Sequence, residues 1–137
     1  MRSFIDIILS MNMKLEVVPI PVTDVDRSVT FYKDKVGFNL DHDVKPGNGM
    51  RVVQLTPPGS ACSIVFGIGI SDPTQIPGSI KNLHLVVDDI KSARDLLLGH
   101  GAEISEIHDM GGVMYAYFED PDGNSWALQE ITVNAKP

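Results

Sequence analysis

The sequence predicts an α+β fold in which two βαβββ units, joined by a short linker, form a curved half-barrel cleft. One order of β-like run, helix and tight turn occurs twice along the chain, and corresponding landmarks keep nearly one spacing. The 137 residues suit one ordinary domain, and 43% hydrophobic with 21% charged residues is a globular composition. We therefore expect a single domain built from units at about 15–70 and 82–131.

Each unit begins with a β-like run that leads into a helix. The runs cover 15–22 in the first unit and 83–87 in the second. Asp24 and Asp89 follow them, and an aspartate placed there can accept hydrogen bonds from the first free amides of a helix. Apolar residues then recur at helical spacing, which predicts one helix in each unit.

The predicted helices both end at a glycine, Gly37 or Gly101, which suits the left-handed conformation beyond a last helical turn. A middle strand should follow over 39–44 in the first unit and 103–108 in the second. Two more β-like runs close each unit.

A tight turn joins the last two β-like runs of each unit, at 57–59 (Pro-Pro-Gly) and at 121–123 (Pro-Asp-Gly). Asp89 follows Asp24 by 65 residues, and the glycines and turns repeat after 64 residues. This shared register indicates that the second unit repeats the first.

The remaining segments are a linker over 71–79 and an N-terminal extension over 1–12, which leaves 13–137 as the domain. The extension contains a short apolar run, but Asp6 interrupts it, so it does not have the form of a signal peptide. We expect an extra strand, a flexible extension or a start codon placed too early.

Composition excludes several classes of partner. The net charge of −7 leaves no basic patch for a nucleic acid, and no run of about 20 apolar residues could span a membrane. Cys62 is the one cysteine, so an internal disulfide cannot form and a reducing, cytoplasmic compartment is expected.

Three segments carry a resemblance to a known family. The segment 22–38, VTDVDRSVTFYKDKVGF, resembles the first helix motif of the vicinal oxygen chelate superfamily, which includes glyoxalase I, bleomycin-resistance proteins and extradiol dioxygenases. The segment 118–126, FEDPDGNSW, resembles its closing hairpin, and 54–60 is similar to the first-half turn of bacterial glyoxalase-like members. The resemblance implies this fold and a homodimer, whereas activity varies widely within the superfamily.

The resemblance also implies four positions that hold a metal in metal-dependent members, where the ion polarises substrate oxygens. Those positions fall on Val17, Val65, Asn82 and Ala127. Valine and alanine offer no donor atom, and a neutral asparagine is a weak ligand for transition ions. We therefore expect no metal and no other cofactor, which counts against glyoxalase and dioxygenase activity.

A displaced metal site is the alternative. His84 and Gln129 each lie two residues beyond an implied ligand position, and hence on the same faces of their strands. His42 or His108 would have to join them. Otherwise His84 is a hydrogen-bonding residue of the cleft wall, and it is our candidate for a catalytic residue if the protein is an enzyme.

Aromatic residues near the end of the chain could also line the cleft. Tyr115 and Tyr117 alternate on one strand and so share a face, which is either the cleft or the helix-packing side. Trp126 faces opposite to Ala127, where core packing competes with ligand stacking. The candidate ligand-binding residues are Asn82, His84, Tyr115, Tyr117, Gln129, Val17, Val65, Ala127 and Trp126.

Three functions remain open from the residues. The protein could bind a small organic molecule without a metal, as in sequestration or resistance. It could instead be a lyase, an isomerase or a dioxygenase-type enzyme, through the displaced metal site or through His84 or a tyrosine as acid or base. It could also be a regulatory partner whose cleft is filled by side chains.

Overall fold

The computed structural model describes residues 2–132. Residue 1 of the predicted extension and residues 133–137 of the predicted domain lie outside the described residues. The helices within it are α1 (Phe4–Ser10), α2 (Val25–Thr30), which continues as a π-helix over Phe31–Val36, and α3 (Ile90–Gly99). The strands of the same range are β1 (Val17–Pro19), β2 (Asn39–Val44), β3 (Arg51–Thr56), β4 (Ser63–Ile68), β5 (Leu83–Val86), β6 (His108–Asp109), β7 (Val113–Glu119) and β8 (Ser125–Ile131).

The strands form two four-stranded sheets with the same topology, in the orders β1-β4-β3-β2 and β5-β8-β7-β6. In each sheet the first strand of the unit runs parallel to the last, as in the pairs Pro19 with Val65 and His84 with Ala127. The other neighbours are antiparallel. The α+β class and the two-unit architecture are confirmed, and the sheets are open rather than closed into a barrel.

The helix boundaries follow the predicted local chemistry. Asp24 and Asp89 each cap a helix, since one carboxylate oxygen accepts a hydrogen bond at 3.1 Å from the amide three residues later. Gly37 and Gly101 have φ of 90° and 88°, a conformation that glycine adopts without steric cost. The π-helical turn that continues α2 was not predicted.

The first strand is shorter than the predicted run over 15–22. β1 ends at Pro19, although the amide of Ile20 still donates to the carbonyl of Val65 at 2.9 Å. Pro21 has no amide hydrogen and cannot continue the ladder.

The prediction of a strand over 103–108 is wrong for all but His108, because β6 is only His108–Asp109. Ser105 donates its amide to the carbonyl of Tyr117, but the amide of Tyr117 binds the side-chain oxygen of Ser105 instead of a backbone carbonyl. Arg94 donates to the carbonyl of Ser105 at 2.7 Å. The carbonyl of Ser105 and the amide of Tyr117, which would pair with each other in a regular ladder, are therefore bonded to other groups. Regular pairing does not extend through this segment.

The N-terminal extension contains a helix, so one of the three alternatives expected for it, an extra strand, is wrong. Ser3 caps α1 by accepting a hydrogen bond from the amide of Asp6, whose carboxylate accepts one in return from the amide of Ser3. Within the described part of the chain, α1 buries none of its residues. No helix in residues 2–132 is long and apolar enough to cross a bilayer.

One aromatic core joins the two units. Tyr32, fully buried on the π-helical turn of the first unit, contacts Phe66 of its own unit and Trp126 of the other, with ring centroids 5.9 and 5.8 Å apart. Phe31 likewise approaches Phe118 at 6.2 Å. Buried aromatic rings remove large apolar areas from water, so these contacts fix the units on each other.

Candidate ligand-binding face

The second sheet has one face in the core and one face uncovered. Ala116 and Leu128 are buried on the core side, and the residues that alternate with them point away from it. Direct cross-strand partners lie on the same side of a sheet, so the register defines the uncovered side. We call this group the open face of the second sheet: His84, Val86, His108, Val113, Tyr115, Tyr117, Glu119, Ser125, Ala127, Gln129 and Ile131.

Four rings form a continuous row across this open face. Tyr115 and Tyr117 are nearly parallel, at an interplanar angle of 9° and a centroid distance of 6.1 Å. His84 meets Tyr115 edge-on at 5.7 Å, and His108 lies 6.0 Å from Tyr117. The structure thus settles which side of the sheet the two tyrosines face.

Ala127 lies between His84 and Tyr117 in the register of the three central strands. It is fully buried, although it belongs to the open face. Neighbouring side chains therefore cover it, and it forms a small floor beneath the larger groups.

Two hydrogen bonds orient the polar groups. The Nδ1 atom of His84 lies 2.7 Å from the carbonyl oxygen of Asn82, and because a carbonyl can only accept, Nδ1 carries the hydrogen in this bond. In the neutral ring Nε2 is then the acceptor atom. The Gln129 amide donates to the Tyr115 hydroxyl at 3.4 Å.

The four positions implied for a metal do not fit one. Val17, Val65 and Ala127 present hydrocarbon groups, and the fourth, Asn82, is a neutral amide. The backbone of Asn82 is also committed, because its amide donates to Ser125 and its carbonyl accepts from His84. In residues 2–132 there is no group of three or more His, Cys, Asp or Glu side chains arranged to hold a metal ion.

The members of the predicted displaced site are only partly brought together. His84 and Gln129 both contact Tyr115. His108 lies at the other end of the ring row, beside Tyr117, whereas His42 belongs to the first sheet. The pair His84 and Gln129 brings one imidazole and one neutral amide, which are fewer protein ligands than the three or four of known zinc sites.

Trp126 lies on the core side of the second sheet, not on the open face. It is 3% exposed, and its indole nitrogen donates to the Tyr32 hydroxyl at 3.1 Å. Part of its ring lines a cavity of about 170 Å³, together with Leu15, Cys62 and His84. Trp126 therefore packs the core and reaches only this small cavity.

Sequence reasoning considered His108 only for the displaced metal site and did not assign it to the ligand-binding residues, because a strand-end histidine is usually just exposed. Its register partner is Tyr115. The two glycines at 111 and 112 were the available signal, since both have positive φ and turn the chain from β6 into β7. Also not predicted were the aliphatic members of the open face, Val86, Val113 and Ile131.

Paired βαβββ units of this topology define a class of proteins built on one duplicated motif. The model of the Glyoxalase/Bleomycin resistance protein/Dioxygenase superfamily matches residues 14–128, and the chain belongs to this superfamily. The resemblance seen in the sequence motifs is thereby confirmed.

Relatives of known sequence or structure agree with this assignment. A "Glyoxylase-like domain-containing protein" of Didymella fabae is 28% identical over 121 residues, which are 81% of this chain and 88% of that protein. TnmS3, an antibiotic-binding protein from Streptomyces sp. CB03234, is 31% identical with a TM-score of 0.75, over 88% of this chain and 97% of its own. A superfamily member from Sphaerobacter thermophilus is 27% identical, with a TM-score of 0.72 over 87% and 98%.

Proposed function

We propose that this protein binds a small organic molecule on the open face of the second sheet, without a metal, and releases it unchanged. Its role would be sequestration or resistance. The observation that carries the proposal is the row of aromatic and amide groups, together with three implied metal positions that hold hydrocarbon side chains. Apolar walls with few well-placed polar groups are typical of small-molecule sites.

One of the similar structures supports the binding of an organic molecule. TnmS3 is described as an antibiotic-binding protein, and a second protein from the same Streptomyces strain is described as a glyoxalase/bleomycin resistance protein. The latter is 32% identical, with a TM-score of 0.70 over 84% of this chain and 98% of its own. The description of TnmS3 matches a role in holding an organic molecule, and that of the second protein names the superfamily.

The proposal includes a homodimer in the cytoplasm. Val86 and Tyr117 on the open face are 61% and 41% exposed, and a second copy would enclose the ligand against this surface rather than take its place. A mass of two chains by light scattering is the expected result. The single cysteine accords with a reducing compartment.

Metal content and ligand recovery test the proposal together. We expect protein purified without chelator to contain much less than one transition-metal ion per chain by elemental mass spectrometry. Organic compounds that raise its melting temperature should do so equally with and without EDTA, and should be recovered unchanged. About one metal per chain together with turnover would overturn the proposal.

An enzyme without a metal is the second candidate, and the geometry of His84 is the observation that favours it. The bond from Nδ1 to the carbonyl of Asn82 fixes the ring and leaves Nε2 able to take a proton. This arrangement suits isomerase or lyase chemistry on a bound molecule. His84→Ala should then abolish turnover while His100→Ala, at the exposed end of α3, should not; equal turnover in both variants would exclude the role.

A further inference from the structure

The open faces of the two sheets differ in their chemistry. On the first sheet the corresponding side carries aliphatic, amide and hydroxyl groups, such as Val65, its partner Gln54, and Ser63. Its strands also place one ring there, that of His42, which pairs with Gln54. On the second sheet the corresponding side carries four rings. The difference indicates that the second sheet contributes most of the aromatic contacts available to a ligand.

We propose that the ring row of His84, Tyr115, Tyr117 and His108 selects an uncharged, flat aromatic molecule that carries a hydroxyl or carbonyl oxygen. This inference rests on the proposed function, because it assumes that the open face of the second sheet is the ligand site. It adds the class of ligand, which the fold leaves undetermined.

Flatness follows from the arrangement of the rings. Tyr115 and Tyr117 are within 9° of parallel, so they present aligned edges and faces to any third ring. Aromatic rings attract one another in edge-to-face and offset-stacked arrangements, which a saturated ring cannot reproduce. Ala127 is small and lies between His84 and Tyr117, so the side chains that project from this part of the face are the rings.

The hydrogen-bonding groups beside the rings favour an oxygen on the ligand. The Tyr115 hydroxyl accepts a bond from Gln129 and still has its own hydrogen to donate. The Nε2 atom of neutral His84 can accept. A hydroxyl on the ligand would satisfy either group, and a carbonyl would satisfy the tyrosine.

The absence of charge on the ligand follows from the residues around the rings. The two cross-strand rows that hold His84, Ala127 and Tyr117, and Val86, Gln129 and Tyr115, contain no Asp, Glu, Lys or Arg. On one side these rows adjoin the apolar pair of Val113 and Ile131, and on the other side they adjoin the pair of Glu119 and Ser125. An anion placed on the rows would lose water and meet only the like charge of Glu119, and a cation would find no counter-charge within the rows themselves.

Calorimetric titration with three bicyclic probes of one size tests this inference. The probes are 2-naphthol, its saturated analogue decahydro-2-naphthol, and the anion 2-naphthalenesulfonate. We expect 2-naphthol to bind at least about tenfold more tightly than either of the others, as ring contacts of this kind predict. Tyr117→Leu keeps an apolar side chain but removes a ring, and should weaken 2-naphthol binding about tenfold.

His100→Leu is the control, because it removes an exposed ring outside the open face, and its affinity for 2-naphthol should equal that of the wild type. Equal binding of the aromatic and saturated alcohols would overturn the inference and leave the proposed function standing. Tightest binding of the sulfonate, unchanged binding by Tyr117→Leu, or no binding of 2-naphthol would also overturn it. The proposed function fails separately, by metal content with turnover.

Discussion

The hairpin turns of the two units approach the opposite unit with different chemistry. The β7–β8 turn reaches the first unit through polar side chains, since Asp120 accepts from the Tyr32 hydroxyl at 2.7 Å and Asp122 accepts from the Thr23 hydroxyl at 2.6 Å. The β3–β4 turn lies 64 residues earlier. Its hydrogen bonds within residues 2–132 are local, such as that from the amide of Ser60 to the carbonyl of Pro57.

An apolar crevice of about 200 Å³ takes the place of the polar contacts at the β3–β4 turn. Pro57 and Pro58 form one wall, and α3 supplies Ala93 and Leu96 to the other. Equivalent positions of a duplicated fold thus carry hydrogen bonds to the other unit in one case and an open apolar crevice in the other.

The polar turn is fully satisfied, which explains how a carboxylate can lie in the core. Asp120 is 5% exposed and accepts four hydrogen bonds, from the Tyr32 hydroxyl, the Asn124 side chain and the amides of Asp122 and Asn124. Asn124 also donates to the carbonyl of Pro21 in the first unit. Hydrogen bonds are directional, so this network fixes one arrangement of the two units. The loss of one member leaves its partners buried without a hydrogen bond.

Removal of the Asp120 carboxylate should give the largest loss of stability among the variants that compare the two turns. Asp120→Ala leaves buried donors on Tyr32 and Asn124 without an acceptor, and should lower the free energy of unfolding by about 3 kcal/mol. Urea unfolding measures the change. Ser60→Ala, in the turn of the first unit, should cost less than about 1 kcal/mol; similar losses in both variants would show that the two turns hold the fold equally.

Tyr32→Phe tests the hydroxyl that joins the units, and should cost about 2 kcal/mol because the indole N–H of Trp126 loses its buried acceptor. Burial, and then the Asp120 carboxylate, raise the pKa of Tyr32 far above its ordinary value of 10.0. A phenol that stays protonated in the folded state contributes its stability in full below about pH 10 and loses it as the pH rises further.

The wild type should therefore lose its advantage over Tyr32→Phe above about pH 10, as measured by urea unfolding along a pH series. A difference that stays constant from neutral to alkaline pH would show that the hydroxyl ionises equally in both states. Tyr117→Phe, on the open face, is the control.

Local chemistry made much of the fold predictable from the sequence. The caps at Asp24 and Asp89 and the glycines at 37 and 101 act within a few residues of themselves, so their spacing revealed both units. The segment 103–108 failed because Arg94, on another element, takes the carbonyl of Ser105. Such tertiary hydrogen bonds leave no mark on the hydrophobic pattern.

The candidate site was predictable only in part. The alternation of Tyr115 and Tyr117 gave them a common face, but Ala116 and Phe118 between and beyond them are also apolar, so no pattern showed which side was buried. The register with Gln129 and His84 decides it, and pairing between distant strands is a tertiary property.

Asp122→Ala and Pro58→Ala are a matched pair at equivalent positions of the two turns. Asp122 accepts from the amide and hydroxyl of Thr23, so its loss should cost about 1 to 2 kcal/mol of unfolding free energy. Pro58 has no such contact in its apolar crevice, and its replacement should cost about half as much. Equal urea midpoints for the two variants would contradict the difference between the turns.

Filling the apolar crevice should give the smallest effect, and one of opposite sign. Ala93→Met adds flexible apolar volume beside the β3–β4 turn and should stabilise the fold by about 0.5 kcal/mol, seen as a small rise in melting temperature. Ala116→Met is the control, because Ala116 is fully buried in the sheet core, where added volume should destabilise by about 1 to 3 kcal/mol. If both variants lose stability alike, the crevice beside the first turn is as tightly filled as the core, and the apolar turn is no looser than the polar one.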